Sequence, residues 1–465
     1  MERNLLKAKE LAEKVKEKGG NCSCSCGCIC RAYFVGGFVR DRLLGIENKD
    51  IDIEVHGIEP KALEEILEDI GGKLSYGESF GIYGIKDYGI DIAMPRKEKV
   101  RGKGHKDFDI FVDPYIGTLK ASERRDFTCN ALLQDVLTGE IIDHFGGIED
   151  LKAKILRHIK DETFIEDPLR VLRAAQFASR FNFEIASETF ELCESMDINN
   201  LSRERIYLET EKALLKAEKP SVYFEILRKM GKLSFWFPEL ENLIGVKQNP
   251  KHHAEGDVWV HTMMVLDAAA KYRDKVENKI GFMLASLTHD FGKAVATEEI
   301  DGVIHSYNHE IKGLSLVKSF LRRLTNENKL TDYVLNLVRN HMRPNTLAGA
   351  NSSFKASNKM FYEAVDPIAL IYLGLSDGEG RIKEGADESK NAEYLWRRLE
   401  IYNELIKKPY VMGRDLIEAG LKPNENFTEL LEFANKLRLS GIEKESALKQ
   451  TLALAARLNK KKTKK

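Results

Sequence analysis

The stretch Val35-Gly36-Gly37-Phe38-Val39-Arg40-Asp41, followed by Lys49-Asp50-Ile51-Asp52-Ile53-Glu54-Val55, decides the fold. Ala32-Tyr33-Phe34-Val35 is a short β-rich run ending in two glycines, and a helical pattern from Phe38 to Leu44 follows, stopped by Gly45. Glycines between a strand and a helix let backbone amides approach a phosphate closely. The helix N-terminus adds partial positive charge there, and Arg40 is placed to reach a triphosphate. Ile51 to Val55 alternates apolar and acidic, the pattern of a half-buried strand. Asp50 and Asp52 are two apart, so both carboxylates project to one face. Hard oxygen ligands that close together suit two Mg²⁺ ions, one of which would lower the pKa of an attacking hydroxyl while the other would stabilise a leaving pyrophosphate. Either piece alone is better explained as a turn beside a solvated acidic strand; their order points to chemistry.

Outward from this stretch, strand-like pieces at 81–85, 90–94, 131–136 and 141–143 make the first 150 or so residues an α+β domain. Before it, residues 1–20 place Leu5, Leu6, Ala8, Leu11, Ala12 and Val15 at helical spacing. From Glu166 onward helical periodicity takes over, with Gln248-Asn249-Pro250 and Pro409 as the clearest hinges. At roughly 150 residues per domain, 465 residues suggest about three domains. The net charge of −1 neither suggests nor forbids nucleic acid, since a basic patch can be balanced elsewhere. No apolar stretch approaches the roughly 18 residues of a membrane span, and the N-terminus lacks the apolar core of a secretion signal. Five of the 7 cysteines crowd between Cys22 and Cys30, which is no disulfide scaffold, so a reduced, cytoplasmic protein is expected.

The glycine turn and the acidic strand, about a dozen residues apart, resemble the nucleotidyltransferase superfamily of DNA polymerase β type. The branch is that of tRNA nucleotidyltransferases and bacterial poly(A) polymerases. Arg124-Arg125-Asp126-Phe127-Thr128-Cys129-Asn130-Ala131-Leu132 is similar to that family's RRDFTINAL segment, and Asp143-His144-Phe145-Gly146-Gly147 to its D-x-x-G-G turn. The resemblance implies a polymerase-β-like head in which Asp50 and Asp52 are catalytic and hold Mg²⁺. It also implies that Gly36, Gly37, Arg40, Arg125 and Asp126 bind nucleotide, with the arginine segment used for ribose recognition.

Glu166-Asp167-Pro168-Leu169-Arg170-Val171-Leu172-Arg173 opens a helix, with Pro168 suited to its first turn. Asp167, Arg170 and Arg173 are spaced by three and fall on one face. An acceptor beside a planar donor fork can read the Watson–Crick edge of a base; without context the pair is an ordinary surface salt bridge. In the family that this resembles, the EDxxR motif selects CTP or ATP without a template. That implies Asp167 and Arg170 on the base and Arg173 on phosphate. Phe235-Trp236-Phe237 is expected to be core packing rather than a stacking platform.

His261, His289-Asp290 and Asp377 are imidazole and carboxylate groups suited to a divalent metal. His305, His309 and His341 lie between them, open as ligands of a second metal or as phosphate partners. The order H…HD…D resembles the HD phosphohydrolase family over roughly residues 257–381. There a metal-activated water attacks a phosphate ester, and an inactive, structural HD domain remains the alternative. Pro409-Tyr410-Val411-Met412-Gly413-Arg414-Asp415-Leu416-Ile417 is similar to the tRNA-gripping tail of the same enzymes.

The fold class is therefore α+β, a polymerase-β-like nucleotidyltransferase head followed by an all-helical neck, body and tail with an HD domain. The boundaries are 1–31 for the N-terminal helix and cysteine-rich insertion, 32–155 for the head and 156–245 for the neck. The HD domain spans 250–385 and the tail 386–465, its basic end expected to be disordered. The implied reaction is addition of C, C and A to the 3′ end of tRNA from CTP and ATP, with Mg²⁺ at the head and an unidentified divalent metal at the HD site. Alternatives are CC-only or A-only addition, a poly(A) polymerase, and an HD phosphohydrolase with an RNA-binding head. Against the poly(A) polymerase, Gly77-Glu78-Ser79-Phe80-Gly81-Ile82 lacks a basic Gly-Arg-x-Phe pattern. Glu54 departs from the family's small residue after the metal carboxylates, which puts the local electrostatics in question.

Overall fold

A computed structural model describes residues 1–20, 30–77, 81–100, 108–382 and 388–462. Cys22 to Cys28, Glu78 to Phe80 and the last three lysine-rich residues lie outside the described residues. The chain divides into two units, residues 1–209 with 229–232, and residues 210–228 with 233–465.

In the first unit, α1 (Glu2–Gly20) precedes β1 (Arg31–Val35), α2 (Gly37–Leu43), β2 (Ile51–His56), α3 (Pro60–Asp69), β3 (Lys73–Gly77), β4 (Ile82–Ile85) and β5 (Ile90–Ala93). An antiparallel ribbon of β6 (Arg96–Val100) and β7 (Phe108–Val112) follows, then β8 (Leu133–Asp135) and β9 (Ile141–Ile142). Seven strands form one mixed sheet in the order β3-β4-β5-β2-β1-β8-β9. The sheet follows from the period-2 pattern. Ile51, Ile53 and Val55 of β2 and Ile90 and Ile92 of β5 are each at most 1% exposed, on one face. Asp52, Glu54 and Asp91 therefore stand on the other face. α1 lies on α3 and β1, with Ala8, Leu11, Ala12 and Val15 buried, whereas Leu6 is exposed. Each fully buried leucine there contributes about 2 kcal/mol.

Three local features differ from the sequence reading. The expected strand at 131–136 begins later, because Thr128–Asn130 forms a 3₁₀ turn before β8. α3 and the β6–β7 ribbon were not anticipated. The basic C-terminus continues the helix Lys444–Lys462 rather than being wholly irregular, as the high helix propensity of lysine allows.

Among its described residues the second unit is helical apart from a hairpin, Glu298–Ile300 with Val303–His305. Three capped helices organise it. Asp257 caps Val258–Ala270 by accepting from Val260 N–H, and Asn278 caps Lys279–Thr288 by accepting from Gly281 N–H. Asp366 caps Pro367–Glu379 by accepting from Ala369 N–H. Such caps are worth about 1 kcal/mol each, and they launch the three mutually packed helices that deliver His261, His289-Asp290 and Asp377. The Gln248 segment is no hinge: its side-chain amide donates to Gly256 and Asp257 carbonyls and accepts from Lys293 Nζ at 2.7 Å. Trp236 and Phe237 are core, while Phe235 is half exposed. A separate tail core is built on Val411, Leu416, Leu430, Ala434, Ala447 and Ala455. Among the described residues no helix is long and apolar enough to cross a membrane.

Candidate functional site

In the first unit, Gly36 takes φ 60° and ψ −126° between β1 and α2, a conformation reserved for glycine. A β-carbon there would lie 2.8 Å from Arg125 Nη1, and one at Gly37 would lie 3.5 Å from Arg40 Nη2. The absence of a side chain at Gly36 thus lets the Arg125 guanidinium close on the turn, whereas at Gly37 the spacing to Arg40 is ordinary contact. Asp52 pairs in register with Asp91 across the parallel strands β2 and β5, and Asp50 immediately precedes β2. Burial, then the Asp91 and Asp50 charges, push the Asp52 carboxyl up to about 6, against the pull of Arg125 and Arg40. These carboxylates supply hard oxygen donors of the type Mg²⁺ takes. Asp91 was missed as a candidate because its partner is distant in the chain.

Glu54 answers the question its identity raised. Its carboxylate contacts His56 Nε2 at 2.7 Å and Arg125 Nη2 at 3.4 Å, so it is neutralised within the sheet face rather than left to repel Asp52. Burial opposes ionisation, but those partners hold its carboxyl below the usual range. Glu54 thereby tethers Arg125 beside the glycine turn.

Arg40 is only 3% exposed. Its Nε and Nη2 donate to Asp41 Oδ1 at 2.8 and 2.6 Å, Nη1 donates to Asn130 Oδ1 at 2.5 Å, and Phe177 and Phe181 flank the guanidinium. Asp126 accepts from Asn130 Nδ2 at 2.9 Å and from Arg173 Nε at 2.7 Å. Burial opposes its ionisation, yet Arg173 and Asn130 keep its carboxyl below the usual range. The helix Leu169–Phe181 therefore joins the head site through Arg173. Asp167 and Arg170 are not paired with each other. Asp167 accepts from Leu169 N–H and from Arg205 Nη2 at 2.7 Å, and Arg170 donates to the Thr163 and Arg124 carbonyls. Each is therefore half-buried and held by its own protein partners. Arg205 was not anticipated as a partner.

In the second unit, His261, His289, Asp290 and Asp377 converge, none more than 1% exposed, and His309 and His341 join them. Backbone carbonyls decide the histidine tautomers. Nδ1 of His289, His309 and His341 lies 2.8, 2.8 and 2.7 Å from the carbonyls of Ser286, Ser306 and Val338. Nδ1 of His261 faces Glu255 Oε1 at 2.9 Å and the Gly380 carbonyl at 3.2 Å. Those partners can only accept, so every Nδ1 carries a hydrogen and every Nε2 points inward. Asp290 sits at the centre. Its Oδ2 is 3.2 Å from His289 Nε2 and 3.5 Å from His261 Nε2, and its Oδ1 is 3.1 Å from His309 Nε2 and 3.7 Å from His341 Nε2. Asp377 Oδ1 is 3.1 Å from His261 Nε2.

Nε2 atoms and carboxylate oxygens this close are held together by a proton on the imidazole or by a metal cation between them. His289 Nε2 and Asp290 Oδ2 are buried without a hydrogen bond, although Lys293 Nζ lies 2.7 Å from the latter. Imidazole and carboxylate donors converging in this way fit a divalent metal. Burial opposes charge on Asp290 and Asp377, but His289 and Lys293 at the first, and Arg381 and His261 at the second, hold both well below the usual carboxylate range. Close approach of Gly292 to His309 and Gly313 leaves no room for a side chain, and that contact brings His309 to Asp290. His305 does not join; it stacks on Tyr307 in the hairpin. Glu255, the missed residue, also accepts from His253 Nδ1 at 2.7 Å.

Residues 32–157 match the Poly A polymerase head domain family, 182–244 the probable RNA and SrmB-binding site of polymerase A, and 258–379 the HD domain. A multifunctional CCA protein of Pasteurella multocida is 34% identical over 429 residues, covering 90% of this chain and 97% of the relative. The chain belongs to the multifunctional CCA protein family. Another member of that family, from Nitrosospira multiformis, is 36% identical over 424 residues, 88% of this chain and 99% of the relative. Two solved structures share the fold of the family. The Bacillus stearothermophilus CCA-adding enzyme in complex with CTP has a TM-score of 0.67 at 22% identity, over 99% of this chain and 100% of that one. The Thermotoga maritima CCA-adding enzyme complexed with tRNA has a TM-score of 0.61 at 20% identity, over 98% of each chain.

Proposed function

We propose that this chain adds C, C and A to the 3′ end of tRNA, using CTP and ATP without a nucleic-acid template. The observation that carries the reading is the in-register acidic face of Asp52 and Asp91, with Asp50 at its edge, in a chain whose full-length relatives are multifunctional CCA proteins. That relationship favours CCA addition over the poly(A) polymerase named in the head-domain match.

In this reading Asp50 and Asp52 hold Mg²⁺, which when bound lowers the pKa of the terminal 3′-hydroxyl and neutralises the departing pyrophosphate. The chain's own residues do the positioning. The Gly36–Gly37 turn receives the triphosphate beside the Arg125 guanidinium, and the buried Arg40 guanidinium lends its charge from behind the turn. Asp126 belongs to the ribose end of the nucleotide. Asp167 offers an acceptor and Arg170 a planar donor to the base edge, while Arg173 serves phosphate from one turn along the same helix. Residues 32–155 are the head in this scheme, 156–245 the neck, 250–385 the HD domain and 386–465 the tRNA-gripping tail.

The second unit supports a second activity, metal-dependent hydrolysis of a phosphate ester. His261, His289, Asp290 and Asp377 would hold one divalent metal, and Asp290, His309 and His341 form a second ligand group sharing the Asp290 carboxylate. Such a metal supplies an activated water. Asp50→Ala and His289→Ala test the division directly. The first abolishes nucleotide addition and spares hydrolysis of phosphate esters, and the second does the reverse. Addition that survives Asp50→Ala overturns the head assignment.

A further inference from the structure

We infer that Asn130 is a positioning residue for nucleotide transfer, a buried amide that ties the Arg40 guanidinium behind the glycine turn to the helix that carries Arg170 and Arg173. The inference rests on the head being a nucleotidyltransferase.

Asn130 is 6% exposed and sits in the 3₁₀ turn Thr128–Asn130, between α2 and the helix Leu169–Phe181. Its two side-chain ends do opposite work. Oδ1 accepts from Arg40 Nη1 at 2.5 Å, and Nδ2 donates to Asp126 Oδ1 at 2.9 Å. Asp126 Oδ2 in turn accepts from Arg173 Nε at 2.7 Å and pairs with Nη2 at 2.5 Å. Arg173 also approaches Glu209 Oε1 at 3.7 Å. A continuous chain therefore runs Asp41–Arg40–Asn130–Asp126–Arg173, from the glycine turn to the helix that carries Arg170. Arg125 Nη1 reaches the Asn130 carbonyl at 3.4 Å, so the same residue touches the second guanidinium of the turn.

Only an amide satisfies both neighbours. A carboxylate at this position would accept from Arg40 but face Asp126 as a second negative charge. An aliphatic side chain would strand one donor of Arg40 and one acceptor of Asp126 away from water. Arg40 has no alternative seat, because Asp41 and two phenylalanine rings surround its remaining edges. Without Asn130, the buried hydrogen-bonded link from Arg40 through Asp126 to Arg173 is broken, and the helix Leu169–Phe181 holds Arg40 and Asp41 only through the Phe177 and Phe181 rings and the Arg180–Asp41 pair at 3.5 Å. A misplacement of that helix disturbs attack geometry and nucleotide choice together.

The test is steady-state kinetics of C and A addition on tRNA lacking its last nucleotides, with active sites titrated so that misfolded enzyme does not enter the rates. Asn130→Ala is expected to lower kcat/KM by roughly tenfold to hundredfold, the worth of one buried hydrogen bond to a charged group, with KM for nucleotide raised. Discrimination between CTP and ATP at each step should fall with it. Asn130→Asp should be worse than Asn130→Ala. Combining Asn130→Asp with Asp126→Asn restores an acceptor for Arg40, a donor between the two positions and the original charge, and should recover part of the loss. Asn130→Ser serves if Asn130→Ala does not fold. Unchanged KM and discrimination in the folded variant, or a double variant no better than Asn130→Asp, overturns the inference. Absence of addition by the unmodified enzyme would instead sink the transferase reading on which it rests.

Discussion

Asp52 and Asp91 face each other in register across the parallel strands β2 and β5, two carboxylates from distant parts of the chain on one sheet face. Burial first, and then the Asp91 charge, hold the half-buried Asp52 carboxyl up at about 6, which a bound divalent cation would reverse. Asp91→Asn removes one negative charge from that face. The expected outcome is a fall of roughly tenfold to hundredfold in kcat/KM for nucleotide addition, with a higher Mg²⁺ concentration needed for half-maximal rate. A Mg²⁺ titration of both proteins checks it, and superimposable curves would remove Asp91 from the metal face.

Gly36 carries a backbone conformation that an L side chain resists, and Arg125 occupies the space a β-carbon needs. Gly36→Ala should cost about 1–3 kcal/mol in urea unfolding and raise KM for both nucleotides, because Arg125 must retreat from the turn. Wild-type KM values would show that the turn does not shape the nucleotide site.

The inward Nε2 atoms of four histidines make metal loading of the second unit a stability measurement as well as a catalytic one. Mn²⁺ at about a hundred times its dissociation constant should stabilise this unit by about 2.7 kcal/mol, and chelation should remove the gain. His289→Ala should abolish the shift while tRNA nucleotide addition continues. Equal thermal shifts in the two proteins would place the metal elsewhere.

Gly292 is fixed by backbone rather than by side chains, since its neighbours are the His309 carbonyl and the Gly313 amide. Neither can rotate away, so Gly292→Ala should push His309 from Asp290 and destabilise the unit by about 1–3 kcal/mol. Calorimetry with and without Mn²⁺ separates the two effects: loss of the metal response together with stability is expected.

Cys129 and Cys193 are buried, and burial pushes both thiols from 9.0 up to about 12. The protonated form is favoured by folding, so their contribution is fully present below pH 9 and is lost as the pH rises from 9 towards 12. Each thiol should weaken stability by about 1.4 kcal/mol per pH unit in that window. Iodoacetamide at pH 8.5, followed by peptide mass spectrometry, should leave both unmodified in the folded protein and label them after denaturation.

What the sequence made legible was periodic or contiguous. Ile51-Asp52-Ile53-Glu54-Val55 announces a strand with an acidic face because a strand alternates sides, and Val258–Ala270 announces a helix by its cap and apolar run. The HD quartet was readable for the same reason, each ligand lying on a recognisable helix or at its end. Asp91 was not, since a lone acid in a short strand acquires meaning only when a parallel neighbour brings Asp52 beside it. Arg205 and Glu255 were missed on the same ground: their partners, Asp167 and His261, are set by packing between elements rather than by spacing within one. His309 and His341 could be named as open ligands, but which of the intervening histidines would converge depended on the Gly292–Gly313 approach, and His305 fell outside.

The central claim is tested most directly by supplying labelled CTP and ATP, singly and together, with tRNA lacking its last three nucleotides. Addition of two C residues from CTP alone, then a single A when ATP is present, followed by arrest, is the predicted result. An unbounded A tail, addition of only C or only A, or no addition by the folded enzyme would contradict it.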